Sequence, residues 1–295
     1  MKPFNIKFQN IKWFWLSLIL VTTTFTLQAQ VPEEDEIDLL LDELFFNSDD
    51  LLDDILYSMN PKTFLYTSFT FNSNSYFAGR DSGIDQFNFS PQISLYHKSG
   101  LSVSISGIYY DNFDPNWDFT SFSINYFKRL SRNKNIYMNG GYTYFNYSDG
   151  SDIYTNSIDL GIGIKNKSLT LGTSLSANYL FGTENTYQLV SSTYARLTIL
   201  KKPKFSLRFV PQISLFATEQ TTATVSPTES DTYIYTEHPL SLVNTQVQFP
   251  LSLVSKHWNI DMGYIVNFPN AFPEETIKST NSCFMLSAGY LIDID

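Results

Sequence analysis

The segment from Ser168 to Phe181 reads SLTLGTSLSANYLF, and its apolar and polar residues alternate. The even-numbered positions up to Asn178 hold Ser, Thr, Gly or Asn, whereas the odd-numbered positions hold Leu, Ala, Tyr or Phe, apart from Thr173. A period of two is the pattern of a β-strand with two different faces. The segment is also long enough for a tilted strand to cross a bilayer, which takes roughly 9 to 11 residues. It therefore predicts a strand with one face suited to lipid and the other to a polar or packed interior.

About twelve segments of this kind follow Pro61, and the links between them are alternately short and long. Short links include HKSG (His97–Gly100) and KKPK (Lys201–Lys204), and long ones include EQTTATVSPTESDTYIYTEHP (Glu219–Pro239). An up-and-down barrel has this rhythm because its turns are short on one side and its loops are long on the other. A Greek-key sandwich has no reason to keep it. The predicted fold is all-β, an up-and-down antiparallel transmembrane β-barrel of about 12 strands.

Charge follows the same alternation. The short links are rich in lysine, and the long links are rich in aspartate and glutamate. The short turns of such a barrel face the periplasm, so one mouth is predicted to be basic and the other acidic. This periplasmic basic mouth contains Lys134, Lys165, Lys167, Lys201, Lys202 and Lys204.

Residues 1–29 have the features of a signal peptide. Lysines precede the apolar run Trp13–Leu27, and a small residue, Ala29, stands at the expected cleavage point. The run is shorter than the roughly 20 residues of a spanning helix, so cleavage after export is predicted. The remaining chain is divided into an acidic segment, residues 30–61, and the barrel, residues 62–295.

Composition excludes several functions. A net charge of −10 argues against nucleic acid as a partner, because the phosphate backbone requires a basic surface. A single cysteine, Cys283, allows no intramolecular disulfide. The three histidines do not have the spacing of a metal site. The sequence predicts neither a cofactor nor a bound metal.

The stretch before the first strand is predicted to be a short acidic amphipathic helical segment. Residues 33–59 read EEDEIDLLLDELFFNSDDLLDDILYSM, contain no basic residue and carry apolar residues at helical spacing on both sides of Asn47. One hypothesis is that this segment folds against the basic mouth, where its attachment to the first strand keeps its effective concentration high. The other is a solvated acidic linker. The side chains expected to face the turn lysines are Asp42, Glu43, Asp53 and Asp54.

Charged residues also fall on the polar faces of predicted strands. Four of them, Arg196, Arg208, Asp159 and Asp261, are predicted to form a lumen charge cluster near the short-turn end. An ion-pair network would fill a narrow barrel, because buried charge must be paired. Alternatively, the cluster would act as a constriction that selects solutes by charge.

One place in the sequence has residues suited to catalysis. His238 lies in the longest predicted loop beside Glu237, where a surface hydrolase would hold an acid/base pair. Nothing in this loop of Thr, Ser and Pro residues fixes such a geometry. No catalytic residue is predicted, and the protein is not expected to be an enzyme.

Two near-identical stretches place proline inside predicted strands. They are FSPQISLY (Phe89–Tyr96) on strand 2 and FVPQISLF (Phe209–Phe216) on strand 9. A closed barrel has no free edge for a residue without an N–H group, so Pro91 and Pro211 are expected at bulges or local bends. The two strands run in opposite directions, which argues against a duplication of half-barrels.

The strand rhythm and the closing segment FMLSAGYLIDID (Phe284–Asp295) resemble the outer-membrane β-barrel proteins of Gram-negative bacteria. The resemblance implies outer-membrane lipid as the surroundings and the barrel-assembly machinery as a partner. The leading hypothesis for function is a narrow channel or binding barrel for a small solute, gated by the acidic segment. A second is a non-conducting anchor or display barrel that docks periplasmic proteins through residues 31–60. A surface hydrolase that uses His238 is the third.

Overall fold

The computed structural model describes residues 63–77, 80–81, 86–130, 135–168, 170–225, 233–255, 257–270 and 280–294. The predicted signal peptide, the acidic segment with Asp42, Glu43, Asp53 and Asp54, and the turn lysine Lys134 lie outside these residues. The secondary structure of the described residues consists of β-strands. Among them there is no helix that is long and apolar enough to span a membrane.

Twelve antiparallel strands, which we number β1 to β12 in chain order, form one wall. The first six are β1 Phe64–Asn72, β2 Asn88–Tyr96, β3 Leu101–Tyr110, β4 Trp117–Arg129, β5 Ile136–Tyr147 and β6 Asn156–Lys165. The next three are β7 Leu171–Phe181, β8 Asn185–Ala195 with Leu197–Lys201, and β9 Phe205–Phe209 with Gln212–Val225. The last three are β10 Tyr233–Gln248 with Leu251–Ser255, β11 Trp258–Pro269 and β12 Asn281–Asp293. Between β1 and β2, Tyr76–Phe77 pairs with Arg80–Asp81.

Each strand pairs with the next along the chain, and the first pairs with the last. The closing ladder between β1 and β12 runs from Phe64 opposite Asp293 to Asn72 opposite Met285. Closure leaves no strand edge, which allows the wall to satisfy its backbone hydrogen bonds without water. The prediction of an up-and-down antiparallel barrel of about 12 strands is confirmed.

The two faces of the wall differ as the alternation predicts. In β7, Leu171 and Leu175 point outward and are exposed, whereas Gly172 and Asn178 face inward and are buried. The same holds around the barrel, where exposed outward residues include Ile93, Ile105, Phe122, Leu160, Ile162, Ile213 and Met262. A soluble protein rarely exposes a continuous apolar surface of this extent. The outward face is therefore the lipid-facing band of a transmembrane barrel.

Aromatic side chains mark both ends of this band. At the long-loop end, the ring centroids of Phe69 and Phe89 are 5.0 Å apart, and those of Tyr179 and Tyr187 are 4.7 Å apart. At the short-turn end, the rings of Trp258 and Tyr290 are 4.6 Å apart. Aromatic rings are enriched at the two membrane–water interfaces, so these pairs delimit the lipid-exposed part of the wall.

The prolines interrupt the ladders without adding a residue. Pro211 lies between the two segments of β9, and both segments keep the same register with β8, with Tyr194 opposite Gln212 and Leu197 opposite Phe209. Pro91 pairs with Phe69 of β1, and the ladder on its β3 side has no pair at Pro91 but resumes in the same register. Of the two expectations for these prolines, a bulge or a local bend, the bulge is not found at either. A shift in register does occur in the β8–β9 ladder, but it lies between Thr198 and Leu200 of β8.

The link between β9 and β10 is more regular than its composition predicts. The two strands pair beyond the wall as far as Val225 opposite Tyr233, and His238 lies opposite Gln220 in this ladder. The prediction of a long loop that contains His238 is therefore wrong. The segment is rich in Thr, Val, Ile and Tyr, which favour extended structure, and this preference outweighs the turn signals.

Candidate functional site

Hydroxyl groups line the middle of the inner wall. They pair across neighbouring strands, with oxygen–oxygen distances of 3.0 Å between Thr70 and Ser287 and 2.7 Å between Ser106 and Ser121. Further pairs join Ser123 with Thr143 at 2.9 Å and Ser192 with Ser214 at 3.0 Å. These inward pairs are polar groups that carry no charge themselves.

Side-chain amides continue this surface on β10 to β12, β1 and β2. Asn244 and Gln246 both donate to Oδ1 of Asn267, at 2.9 and 3.0 Å. Asn72 donates to Asn88 at 3.1 Å across the β1–β2 ladder. These amides are buried, and their bonds to one another hold them in place on the wall.

Solvent reaches the inner wall on β3 to β7. Six inward polar residues there are half-buried rather than buried, and they are Ser104, Ser123, Asn125, Asn139, Ser174 and Ser176. They are adjacent on the sheet, because Ser104 lies opposite Ser123 and Asn125 lies opposite Gly141. The set forms a continuous polar patch, which we call the lumen patch. It is a solvent-accessible polar part of the inner wall.

Below the lumen patch, near the short turns, two cations contact tyrosine rings. The Nζ atom of Lys165 lies 5.2 Å from the ring centroid of Tyr137 and 5.9 Å from that of Tyr194. The Cζ atom of Arg196 lies 5.7 Å from the ring of Tyr194. These distances are those of cation–π contacts, which stabilise a cation away from bulk water. We call these four residues the cation–tyrosine cluster.

Glycines hold the tyrosines of this cluster against the wall. A Cβ atom at Gly163 would overlap the ring of Tyr137, and one at Gly172 would overlap the ring of Tyr194. Each glycine lies opposite its tyrosine in the neighbouring strand. The rings therefore pack flat against the glycines of the neighbouring strands.

The structure separates Asp159 from the other three residues of the predicted lumen charge cluster. Arg196, Arg208 and Asp261 lie in the short-turn half of their strands, and Ser252 lies between Arg208 and Asp261 in the pairing. Asp159 lies six residues before Lys165 on β6, closer to the long loops. Asp159 lies opposite Asn178 of β7, and Asn178 lies opposite Gln188 of β8. Gln188 is eight residues from Arg196 along β8, so Asp159 and Arg196 lie at different levels of the barrel. Counting residues from the nearest turn does not reveal this offset.

Asp159 is a buried carboxylate that points into the lumen. It is 5% exposed and accepts a hydrogen bond of 2.7 Å at Oδ1 from Ser157 Oγ. Within the described part of the chain, no hydrogen bond reaches its Oδ2 atom. Asp261 differs, because it accepts a hydrogen bond from the side-chain amide of Asn259 beside it on β11.

An apolar cluster narrows the lumen near the long loops, and sequence reasoning missed it. Its buried members on β3, β4, β5 and β7 are Ile108, Tyr110, Phe119, Phe145, Tyr147 and Leu180. Phe113 and Tyr154 pack against them from two long loops, and the rings of Phe119 and Phe145 meet edge to face at 5.3 Å. We call this set the aromatic patch. The signal was present in the sequence, because these rings occupy inward positions near the strand ends.

The lysines of the basic mouth differ in their orientation and exposure. Lys165 faces inward and is 8% exposed, whereas Lys167 is exposed in its turn. Lys201, Lys202 and Lys204 are exposed and line a pocket of about 660 Å³ between the β8–β9 turn and the β10–β11 turn. We call this the rim pocket. In the described part of the chain, no group of three or more His, Cys, Asp or Glu side chains is arranged to hold a metal ion.

No protein-family model matches the chain, and no curated protein matches its sequence. Among solved structures, the KdgM porin aligns with a TM-score of 0.48 and 11% identity, over 76% of this chain and 98% of that chain. The NanC porin aligns with a TM-score of 0.45 and 9% identity, over 77% and 98% of the two chains. An outer membrane channel from Pseudomonas putida F1 aligns with a TM-score of 0.45 and 10% identity, over 79% and 97%.

The class of the protein follows from its own geometry. The barrel is closed, its outer face is apolar with aromatic ends, and its links alternate between short turns and long loops. These are together the features of outer-membrane β-barrels. The chain is an outer-membrane β-barrel protein surrounded by lipid, as the sequence predicts.

Proposed function

We propose that the protein is a narrow passive channel for small polar solutes. The lumen patch carries this proposal, because its half-buried Ser and Asn side chains can exchange hydrogen bonds with a solute as it passes. A structural barrel that only fills its interior has no need of a solvent-accessible polar surface at this level. Diffusion through such a lumen requires neither a cofactor nor an energy source.

Charge and size would be selected at different levels. The cation–tyrosine cluster and Arg208 place positive charge in the short-turn half, which favours anions and solutes with an anionic group. The aromatic patch limits the cross-section near the long loops. Solutes small enough to pass the aromatic patch would then be sorted by charge near the periplasm.

Single-channel recording of the purified protein in a planar bilayer tests the proposal. We expect discrete conductance steps and a reversal potential, in a salt gradient, that indicates anion preference. A liposome-swelling series with neutral and charged sugars of graded size would then give the size limit. If the folded barrel inserts but neither conducts nor admits any solute, the channel function is wrong.

We further propose that the acidic segment reduces conduction from the periplasmic side. The support is its lack of basic residues, its attachment next to Thr63 at the short-turn end, and the lysines of that end. Removing residues 31–60 should raise conductance or remove closures, with the strongest effect at low ionic strength. Unchanged conductance after this deletion would exclude gating by the segment.

The second candidate function is a non-conducting barrel that docks periplasmic proteins through residues 31–60. The aromatic patch favours it, because packed rings near the long loops obstruct part of the lumen. A pull-down from periplasmic extract with residues 31–60 as bait tests this role.

Recognition of the closing segment by the barrel-assembly machinery remains a proposal, which assembly assays of variants truncated after Met285 would test.

A further inference from the structure

The rim pocket combines cationic and aromatic side chains at the periplasmic end of the barrel. Lys201, Lys202 and Lys204 line it from the β8–β9 turn, and Arg208 lines it from β9. Among the described residues, the lining includes His257 but no aspartate or glutamate. The pocket thus presents a one-sided positive field to an anionic group, in a concave site that strengthens it.

Aromatic rings form the opposite side of the rim pocket. Trp258 and Tyr290 line it, their ring centroids are 4.6 Å apart, and Trp258 is 53% exposed. Phe205 adds a third ring from the start of β9. A ligand that matches both sides of the pocket needs acidic groups together with apolar side chains. A simple inorganic anion would use only the lysine side.

The chain itself supplies a segment with this chemistry. Residues 48–59, SDDLLDDILYSM, alternate acidic pairs with apolar pairs and contain no basic residue. The acidic pairs are Asp49 with Asp50 and Asp53 with Asp54. Leu51, Leu52, Ile55 and Leu56 stand beside them.

The point where this segment joins the barrel lies close enough to the rim pocket. Thr63 precedes β1, and its carbonyl accepts a hydrogen bond of 3.1 Å from the backbone N–H of Ile294 at the end of β12. From β1 the order around the rim is β12, β11, β10 and β9, which is four steps of about 4.8 Å, or about 19 Å in all. Asp54 precedes Thr63 by nine residues, which span up to about 30 Å when extended.

We infer that the rim pocket is the docking site of this protein's own residues 48–59. The aspartates face Lys201, Lys202, Lys204 and Arg208, and the leucines pack on the aromatic side at Trp258 and Tyr290. This inference rests on the proposed role of the acidic segment at the short-turn end and names the surface that holds it. The short tether keeps the segment at a high effective concentration, so modest intrinsic affinity suffices for occupancy.

The test measures binding and not conduction. The barrel that lacks residues 31–60 is titrated with a synthetic peptide of residues 33–59 at low salt, by isothermal calorimetry. We expect K201E/K204E to weaken binding by about tenfold, because two favourable charge pairs become repulsive. The matched control is K98E/K167E, which reverses two exposed lysines in other short turns. It should change the affinity by less than about twofold, as expected for distant screened charges.

Cross-linking in the intact chain locates the segment independently. Asp54→Cys combined with Lys202→Cys should form a disulfide under mild oxidation, whereas Asp54→Cys combined with Lys167→Cys should not. Equal cross-linking at both sites, or equal loss of peptide affinity in both lysine variants, would mean diffuse attraction and would overturn the inference. If the barrel binds phosphatidylglycerol micelles through Lys201 and Lys204 but does not bind the peptide, the rim pocket holds a lipid phosphate and the inference is wrong.

Failure of gating and failure of docking give different results. If the peptide binds at the rim pocket but deletion of residues 31–60 leaves conductance unchanged, docking stands and gating is excluded. If the deletion changes conductance but the pocket variant binds the peptide as the control does, gating stands and this docking site is excluded. Both measurements use the same purified barrel.

Discussion

At the scale of single residues, the glycines opposite the lumen tyrosines decide how wide the passage is. A side chain at position 163 would occupy the space of the Tyr137 ring. We expect Gly163→Val to push this ring into the lumen and to lower single-channel conductance. The strain should also lower the free energy of unfolding by about 1–3 kcal/mol, the usual range for overpacking.

The rescue variant separates blockage from misfolding. Gly163→Val combined with Tyr137→Ala should restore conductance to at least the wild-type value, because the displaced ring is then absent. Both variants must show the wild-type shift between heated and unheated samples in gel electrophoresis. Low conductance in the double variant would mean that Tyr137 does not restrict the passage.

The cation between the two tyrosines provides a prediction about selectivity. Lys165→Met keeps the length of the side chain but removes its charge from the inner wall. A unit charge about 10 Å from an ion in water changes the energy of that ion by about 0.4 kcal/mol, which is about twofold in permeability. Removing the positive charge lowers the permeability of an anion and raises that of a cation by this factor, so we expect the anion-to-cation permeability ratio, measured as a reversal potential in a salt gradient, to fall about fourfold.

Lys167→Met is the control for this prediction, because Lys167 lies two residues further along and is exposed in the turn. Its removal should leave the reversal potential close to that of the wild type at physiological salt, where exposed charges are screened. Equal effects of the two substitutions would show that the inward position of Lys165 has no special role.

At the scale of elements, the β9–β10 hairpin consists of a wall part and an extension. The wall part of β9 pairs with β8 as far as Thr218, and that of β10 pairs with β11 up to Asn244. From Gln220 onward, the described residues of β9 pair with β10 alone. Replacing residues 222–236 by Asn-Gly would join the opposed Thr221 and Glu237 by a two-residue turn.

We expect this shortened protein to fold with an unchanged midpoint of thermal unfolding, because the wall keeps all its pairs. Deletion of the single residue Ser214 is the contrasting change. It would shift every later residue of β9 to the opposite face, and should prevent folding. A large loss of stability in the shortened hairpin, comparable with that of the Ser214 deletion, would show that the extension supports the wall.

The strands were predictable from sequence where the two faces of a strand differ in polarity. In β7 the apolar set must face lipid and the polar set the lumen, so strand, direction and face follow from the alternation of Leu171 to Phe181. The extension of β9 and β10 was missed because its Thr, Ser and Pro residues do not alternate between apolar and polar faces. An irregularity at Pro211 was expected. The register of β9 is the same on both sides of Pro211, and this depends on its pairing with the neighbouring strands.

At the scale of the whole molecule, the levels of lumen residues depend on the pairing register of several strands in succession. Alternation places Asp159 and Asp261 on the inner wall correctly, because this requires only the face of each strand. It cannot place them at a common level, because every ladder adds its own offset around a tilted barrel. The aromatic patch and the rim pocket combine residues from separate strands and links for the same reason, so neither could be read from one segment.

The orientation of the entire wall in the membrane gives the last prediction. Leu175 points outward at the middle of β7, and its neighbour Ser174 points into the lumen. An arginine on the lipid face near the bilayer midplane costs about 2–4 kcal/mol, whereas an arginine on the lumen side stays in contact with water. We expect Leu175→Arg to lower the free energy of unfolding from lipid vesicles by this amount. Ser174→Arg should fold nearly as well as the wild type but conduct less, because its side chain narrows the lumen patch. Reversed effects in urea titrations of the two variants would mean that the inner and outer faces of the barrel are assigned the wrong way round.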